Sequence, residues 1–318
     1  MQQPPIFLIS SGRCGSTFFS DSIHSHPEML SVSELIEPVM PVPFLENQNK
    51  ISGADFFTLL AAPTMEERID IWQSGITREC LFMPQERDKV SLLLCYALPL
   101  LSQQPDKYLN KLRQIVSDFP EACATEHFIR FCEYLKSAHD KTIWIERSGG
   151  SLAHCESILR CWPNAKIIHF YRDGRDVACS MRAHPIFRMF VMKRLGKDWR
   201  ENETPDITEF GKLWSEWVCN AIPALREPNA RVLNLSYEEM MSSPDNALES
   251  FLRFVFDKEL LNEQDLQWIN QVKKEISPAK SHFHALNEKD KARLTLACQP
   301  GLEELGYLNS SSPILTNA

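Results

Sequence analysis

Short apolar runs separated by longer amphipathic stretches dominate the chain. Five runs, Ile6–Ser10 (IFLIS), Met29–Ser33 (MLSVS), Thr142–Glu146 (TIWIE), Lys166–Tyr171 (KIIHFY) and Arg231–Leu235 (RVLNL), are rich in β-branched or aromatic residues. They predict short buried strands. Helical spacing occupies residues 16–25, 149–161, 175–183, 208–226 and 244–257. Strands alternating with helices predict an α/β fold with a central parallel sheet and flanking crossover helices. Residues 38–140 break this rhythm: they open on Pro38, Pro41 and Pro43 and are largely helical in pattern. They read as a helical insertion within one domain of 318 residues, either a cap over the active site or a helical subdomain without a catalytic part.

Composition narrows the function classes. Hydrophobic residues make up 43% of the chain, enough for a substantial core, and scarce glycine with no repeats excludes solenoid and low-complexity architectures. A formal charge of −8 and a pI near 5.7 argue against a broad nucleic-acid or anionic-lipid surface and leave only a local basic pocket. The ten cysteines contain no C-x-x-C pair, so they read as reduced thiols of a cytosolic protein rather than a metal or redox motif. The amino-terminal residues carry no basic stretch, and the longest apolar run, Leu92–Leu101, contains Pro99. It falls short of the ~20 residues that span a bilayer, so a cytoplasmic location is expected.

Two segments carry candidate chemistry. Ser10-Ser11-Gly12-Arg13-Cys14-Gly15-Ser16-Thr17 follows the first predicted strand and opens a helix. Its glycines let backbone approach an anion, and the N–H groups and macrodipole of a helix start favour negative charge. Ser16 and Thr17 add hydroxyls, and Arg13 a planar cation suited to phosphate or sulfate oxygens. The loop approaches the Walker pattern, but Gly15 is followed by Ser16 instead of lysine, which disfavours an NTPase. Alone, it also fits an ordinary tight turn. The second segment, Tyr171–Met181, places Arg172 at a strand end and Ser180 about two turns into the next helix. A strand–helix turn can fold both side chains onto one phosphate. Asp176 reads as a helix cap or a partner of Arg172 or Arg175.

The loop at 10–17, the Arg172…Ser180 pair and the segment Tyr237-Glu238-Glu239-Met240-Met241-Ser242-Ser243-Pro244 together resemble the sulfotransferases that use 3′-phosphoadenosine-5′-phosphosulfate (PAPS). Leu305-Gly306-Tyr307 is a further likeness, and the resemblance covers roughly 1–37 and 142–307. It implies a P-loop-like sulfotransferase fold. The first loop (Ser11, Gly12, Arg13, Cys14, Gly15, Ser16, Thr17) would hold the phosphosulfate, Arg172 and Ser180 the 3′-phosphate, and Tyr237 the adenine. Lys280 resembles a late lysine that closes over the nucleotide, although the usual following Trp is absent.

Sulfuryl transfer also needs a base. Glu34 resembles the base of the tyrosylprotein sulfotransferases, whose loop Arg, His-Pro pair and catalytic Glu match Arg13, His26-Pro27 and Glu34. It also fits a surface residue or an ion-pair partner of Arg13. Glu37, His24 and His26 are weaker candidates. Related enzymes carry a Lys where Arg147 stands; an arginine can stabilise a leaving phosphate but does not readily donate its proton. Arg147 also fits an ion pair with Glu34 or Glu146. Ser10–Thr17, Glu34, Arg147, Arg172 and Tyr237 all fall at or just after the carboxyl ends of predicted strands, the edge on which open α/β sheets bind ligands.

The sequence therefore leads to the expectation of an enzyme that moves a sulfuryl group from PAPS to a hydroxyl or amine of a small molecule, releasing PAP. Natural-product tailoring fits that expectation. No metal, nucleic-acid or membrane partner is expected, and the oligomeric state stays open. One rival is a nucleotide or small-molecule kinase with an atypical P-loop, disfavoured by the missing lysine and by an Arg172/Ser180 pair suited to a 3′-phosphate that ATP lacks. The other is a non-catalytic nucleotide-binding protein, disfavoured by Glu34 and Arg147. Phe56, Phe57, Trp72, Phe82, Phe128, Phe131 and Trp199 could line an acceptor pocket, but such spacing is commoner in cores.

Overall fold

Continuous apolar runs, rather than alternating ones, belong to strands covered on both faces. The computed structural model, which describes residues 3–36, 39–75, 80–200, 203–277 and 281–308, bears this out. Strands β1 (Ile6–Ser10), β2 (Met29–Ser33), β3 (Ile143–Gly149), β4 (Lys166–Tyr171) and β5 (Arg231–Ser236) form one parallel sheet in the order β2-β3-β1-β4-β5. Every residue of β1, β2 and β4 is buried. The third strand was expected to end at Glu146 but runs on to Gly149; its ladder with β2 continues through the pair Ser33↔Arg147. Arg147 is thus a strand residue and not one that follows the strand.

The helices are α1 (Ser16–Ser25), α2 (Val42–Leu45), α3 (Gly53–Leu60), α4 (Glu66–Gln73), α5 (Pro105–Ser117), α6 (Ala124–Ala138) and α7 (Cys155–Cys161). They continue with α8 (Gly174–Ala183), α9 (Pro185–Arg194), α10 (Ile207–Leu225), α11 (Tyr237–Ser242), α12 (Pro244–Phe256), α13 (Glu263–Glu275) and α14 (Glu288–Glu304). No helix among the described residues is long and apolar enough to cross a membrane.

The chain divides into two compact units: Met1–His26, Gly149–Glu156 and Asn164–Ala318 form the first, Pro27–Ser148 and Ser157–Pro163 the second. The second contains β2, most of β3, and the helices of the 38–140 segment. Five of the seven aromatics noted above, Phe56, Phe57, Trp72, Phe128 and Phe131, are buried in its core; Phe82 is half-buried there. Phe56 stacks on His127 at 4.9 Å, and the His127 ring is hydrogen-bonded to the Ile51 carbonyl at 2.9 Å.

In the first unit, α10 packs against α8 and α14 around the buried Trp214. Gly174, the first residue of α8, abuts the Trp214 ring so closely that a Cβ there would stand 2.2 Å from it. Gly301 of α14 donates its N–H to Ser215 Oγ at 2.9 Å. These contacts set the approach of α8 two residues after Arg172, so core packing reaches directly into the candidate site. Gly174→Ala should force Trp214 or α8 to move and cost about 1–3 kcal/mol, as overpacking does. Urea denaturation of the variant checks this, and wild-type stability would show that α8 is not held by Trp214.

Candidate functional site

The expected site residues fall into two groups, one in each unit. The first begins at the carboxyl end of β1. Gly12, Arg13 and Gly15 have φ of 71°, 55° and 94°, so the loop turns through three left-handed residues. Glycine suits two of them for a second reason. A Cβ at Gly12 would lie 2.9 Å from the Phe187 ring, and one at Gly15 would lie 2.8 Å from Tyr237. Arg13, with a side chain, sits at a conformation that costs about 1–2 kcal/mol. The loop is anchored from below: Gly12 N–H donates to Ser10 Oγ at 3.3 Å, and Gly150 N–H donates to the Ser10 carbonyl at 3.1 Å. The buried Cys14 thiol donates to the Phe170 carbonyl at 3.6 Å, which makes its side chain an anchor to β4. Gly15 caps α1 without a side-chain acceptor, so the first N–H groups of α1 lack the bond that a Ser, Asp or Asn cap supplies. Ser16 is buried and Thr17 exposed.

The β4–β5 ladder ends at the pair Tyr171↔Ser236, which puts the next residues, Arg172 and Tyr237, side by side. The Arg172 guanidinium lies 4.4 Å from the Tyr237 ring centroid, a cation–π contact. Arg172 is only 9% exposed, is 3.3 Å from Asp176, and its Nε has no hydrogen-bond partner among the described residues. Ser180, expected to act with Arg172, accepts from Arg13 Nε at 3.2 Å, which links it to the first loop as well. Together with Arg182, His184 and His282, Arg13 and Ser180 line a depression of about 420 Å³. It is a local basic pocket on an acidic protein.

Asp173 caps α8, and Asp176 does a different job from capping. One of its oxygens accepts from the Ser281 hydroxyl at 2.9 Å and from the Phe283 N–H at 3.0 Å. Arg175 lies 4.7 Å from the Phe283 centroid. These contacts hold the residues just after Lys280; Lys280 itself, like Glu37, lies outside the described residues. The carboxyl-terminal Tyr307 donates to Glu238 at 2.7 Å, and Glu238 also accepts from Asp173 N–H at 3.1 Å. Burial and the Glu238 carboxylate push the Tyr307 phenol upward, so it stays a donor. The sequence pointed to Tyr307 through Leu305-Gly306-Tyr307 but held no signal for its partner.

The second group is in the other unit. Glu34 follows β2 and forms an ion pair with Arg147 of β3. The Arg147 side chain is 3% exposed and that of Glu34 14%. Burial works against the Arg147 charge, but Glu34 and a hydrogen bond with Tyr96 outweigh it, so its pKa lies above the ordinary arginine value. Tyr96 sits in a π-helical turn over Leu93–Ala97 and carried no sequence signal. Among the rival bases, His26 is fully buried at the end of α1. It sits 3.7 Å from Asp265 and against Trp268, in the manner of a core histidine.

A family model described as the sulfotransferase family matches residues 4–255. No curated protein matches the chain. Among solved structures, the chain is similar to a sulfotransferase domain from the curacin biosynthetic pathway, at 15% identity over 100% of this chain and 95% of that one, with a TM-score of 0.47. It is similar to sulfotransferase STF9 from Mycobacterium avium at 16% identity over 99% and 78%, TM-score 0.49. A retinol dehydratase in a complex with retinol and PAP is similar at 12% identity over 90% and 86%, TM-score 0.35.

One acid beside the second group gives a pH test. Burial pushes the Glu146 carboxyl up to about 7, against the opposing pull of hydrogen bonds from Ser148, Ile36 and Leu35. With the native pKa above the unfolded one, the stability this group contributes is complete below the unfolded pKa. It is lost as pH rises through about 7. Glu146→Gln stays neutral, so its stability relative to wild type should rise between about pH 4.5 and 8, by on the order of 3 kcal/mol. Urea denaturation of both proteins across that range checks this; a pH-independent difference would mean that Glu146 titrates as an ordinary carboxyl.

Proposed function

Because the chain belongs to the sulfotransferase family, we propose that it transfers a sulfuryl group from PAPS to a hydroxyl or amine of a small-molecule acceptor. The observation that carries this reading is the buried Arg172 guanidinium, stacked on Tyr237 with its Nε lacking a hydrogen-bond partner among the described residues. A buried N–H without an acceptor is costly and fits a bound anion. The glycine-shaped loop and uncapped start of α1 fit a second one. PAPS carries anionic groups at its 3′ and 5′ positions, so the chemistry of the residues suits it.

In this reading Arg13, Ser16, Thr17 and the loop N–H groups hold the phosphosulfate end. Arg172 and Ser180 hold the 3′-phosphate, Tyr237 supports the adenine, and Lys280 closes over the nucleotide. When bound, PAPS supplies an activated sulfuryl group attached to a phosphate leaving group. Glu34 takes the acceptor's proton at a carboxylate oxygen, and Arg147 holds that carboxylate and remains charged during turnover. Residues 38–140 shape the acceptor pocket of a single catalytic domain.

Two experiments test the reading. PAP should raise the melting temperature and ATP at equal concentration should do much less, since only a ligand of the folded state stabilises it. Arg172→Ala should weaken PAP by about 1.5–3 kcal/mol, the worth of a charge-assisted hydrogen bond, and Ser180→Ala by less. Adenosine-5′-phosphosulfate, which has no 3′-phosphate, should be little affected. Equal losses for both ligands would remove the 3′-phosphate assignment, and equal stabilisation by ATP would favour a kinase.

The base is tested by Glu34→Gln. The turnover number should fall by about 10²–10⁴-fold, as for loss of a general base, while PAP affinity hardly changes. Near-normal turnover in the folded variant would remove Glu34 from that role.

A further inference from the structure

Glu34 has φ of 62°, a left-handed conformation that a residue with a side chain adopts only where its surroundings impose it. The surroundings here are three successive residues of β3. The Glu34 N–H donates to the Arg147 carbonyl at 2.8 Å. The next two N–H groups, of Leu35 and Ile36, donate to the same carboxylate oxygen of Glu146 at 3.0 and 3.3 Å. The Ile36 N–H also reaches the Ser148 hydroxyl at 2.9 Å, and that hydroxyl in turn donates to the shared Glu146 oxygen. Glu146 is 1% exposed and Ser148 is fully buried.

A carboxyl in so buried a place is expensive, and an apolar residue would pack there at less cost. What an apolar residue would not supply is an acceptor for two adjacent amides at the point where the chain leaves β2. Without it the Leu35 amide would be buried and unpaired and the Ile36 amide left to Ser148 alone, and the turn would relax away from its left-handed residue.

We propose that Glu146, assisted by Ser148, is a positioning residue for Glu34, fixing the turn that presents the Glu34 carboxylate. The proposal rests on the reading of Glu34 as the base. Glu146 touches neither donor nor acceptor; it acts through the backbone of residues 34–36. Arg147, between Glu146 and Ser148 in sequence, clamps the Glu34 carboxylate, while its two neighbours clamp the backbone.

A double-mutant cycle on the full chain tests this. Glu146→Leu should lower the turnover number by about 10²-fold, the cost of a small misplacement of a reacting group. PAP affinity should stay as in wild type. Glu146→Gln keeps an oxygen for the two amides and should recover most of the loss. In a Glu34→Gln background the Glu146→Leu substitution should have no further effect on turnover, because the group it positions is already gone. Ser148→Ala runs through the same cycle with a smaller loss, and serves where Glu146→Leu does not fold. Near-normal turnover of Glu34→Gln alone overturns both the base and its positioning. A slow Glu34→Gln combined with an unimpaired Glu146→Leu and Ser148→Ala, or with equal losses in both backgrounds, leaves the base standing and overturns the positioning role.

Discussion

The Tyr237 ring is the contact on which the first group of candidate residues depends. It lies against the backbone at Gly15 and carries the Arg172 guanidinium at 4.4 Å. One aromatic side chain therefore sets the distance between a loop at the end of β1 and a cation at the end of β4. The ring can do this because it is itself located by the sheet: the pair Tyr171↔Ser236 ends the β4–β5 ladder one residue before Arg172 and Tyr237. Glu238, the next residue, is then fixed by Asp173 and Tyr307. A cation–π contact is worth only about 0.5–2 kcal/mol. Its effect here is geometric, since with Asp176 at 3.3 Å it fixes where the guanidinium lies.

Burial of charge is handled differently in the two units. In the second, Arg147 and Glu34 neutralise each other, and Glu146 gathers two amides and a hydroxyl. In the first, Arg172 has a lateral carboxylate in Asp176 and an aromatic face, yet its buried Nε has no acceptor among the described residues. Arg172 is thus held beside an acid that does not saturate it. Asp176 illustrates the point: its remaining oxygen is occupied by Ser281 and Phe283, so the segment after Lys280 is tied to the helix that carries Ser180.

Much of this was legible in the amino-acid sequence, for local reasons. Apolar runs too short for helices marked all five strands, and glycines at 12 and 15 marked a left-handed turn after the first of them. Helix boundaries fell within a residue or two of their expected places in most cases, because caps and prolines act over a few positions. The stretch 149–161 was an exception: it is a 3₁₀ turn at Ser151–His154 followed by α7. The end of β3 was less legible, since pairing carries the strand past the end of its apolar run.

The chemical partners of the charged residues were a different matter. By itself the sequence determined that Arg13, Arg172, Glu34 and Arg147 stand at or near strand ends and helix starts, because hydrophobic period and turn chemistry are properties of neighbouring residues. Only the tertiary structure decided that Ser180 takes Arg13, that Glu34 takes Arg147 at a separation of 113 residues, and that Glu146 binds the turn beside Glu34. It also brought in Tyr96 and Phe187, which carry no motif. The reason is physical: a pairing between distant side chains depends on strand register and on which helix faces meet, and a shift of one residue in either would give every one of these groups a different neighbour.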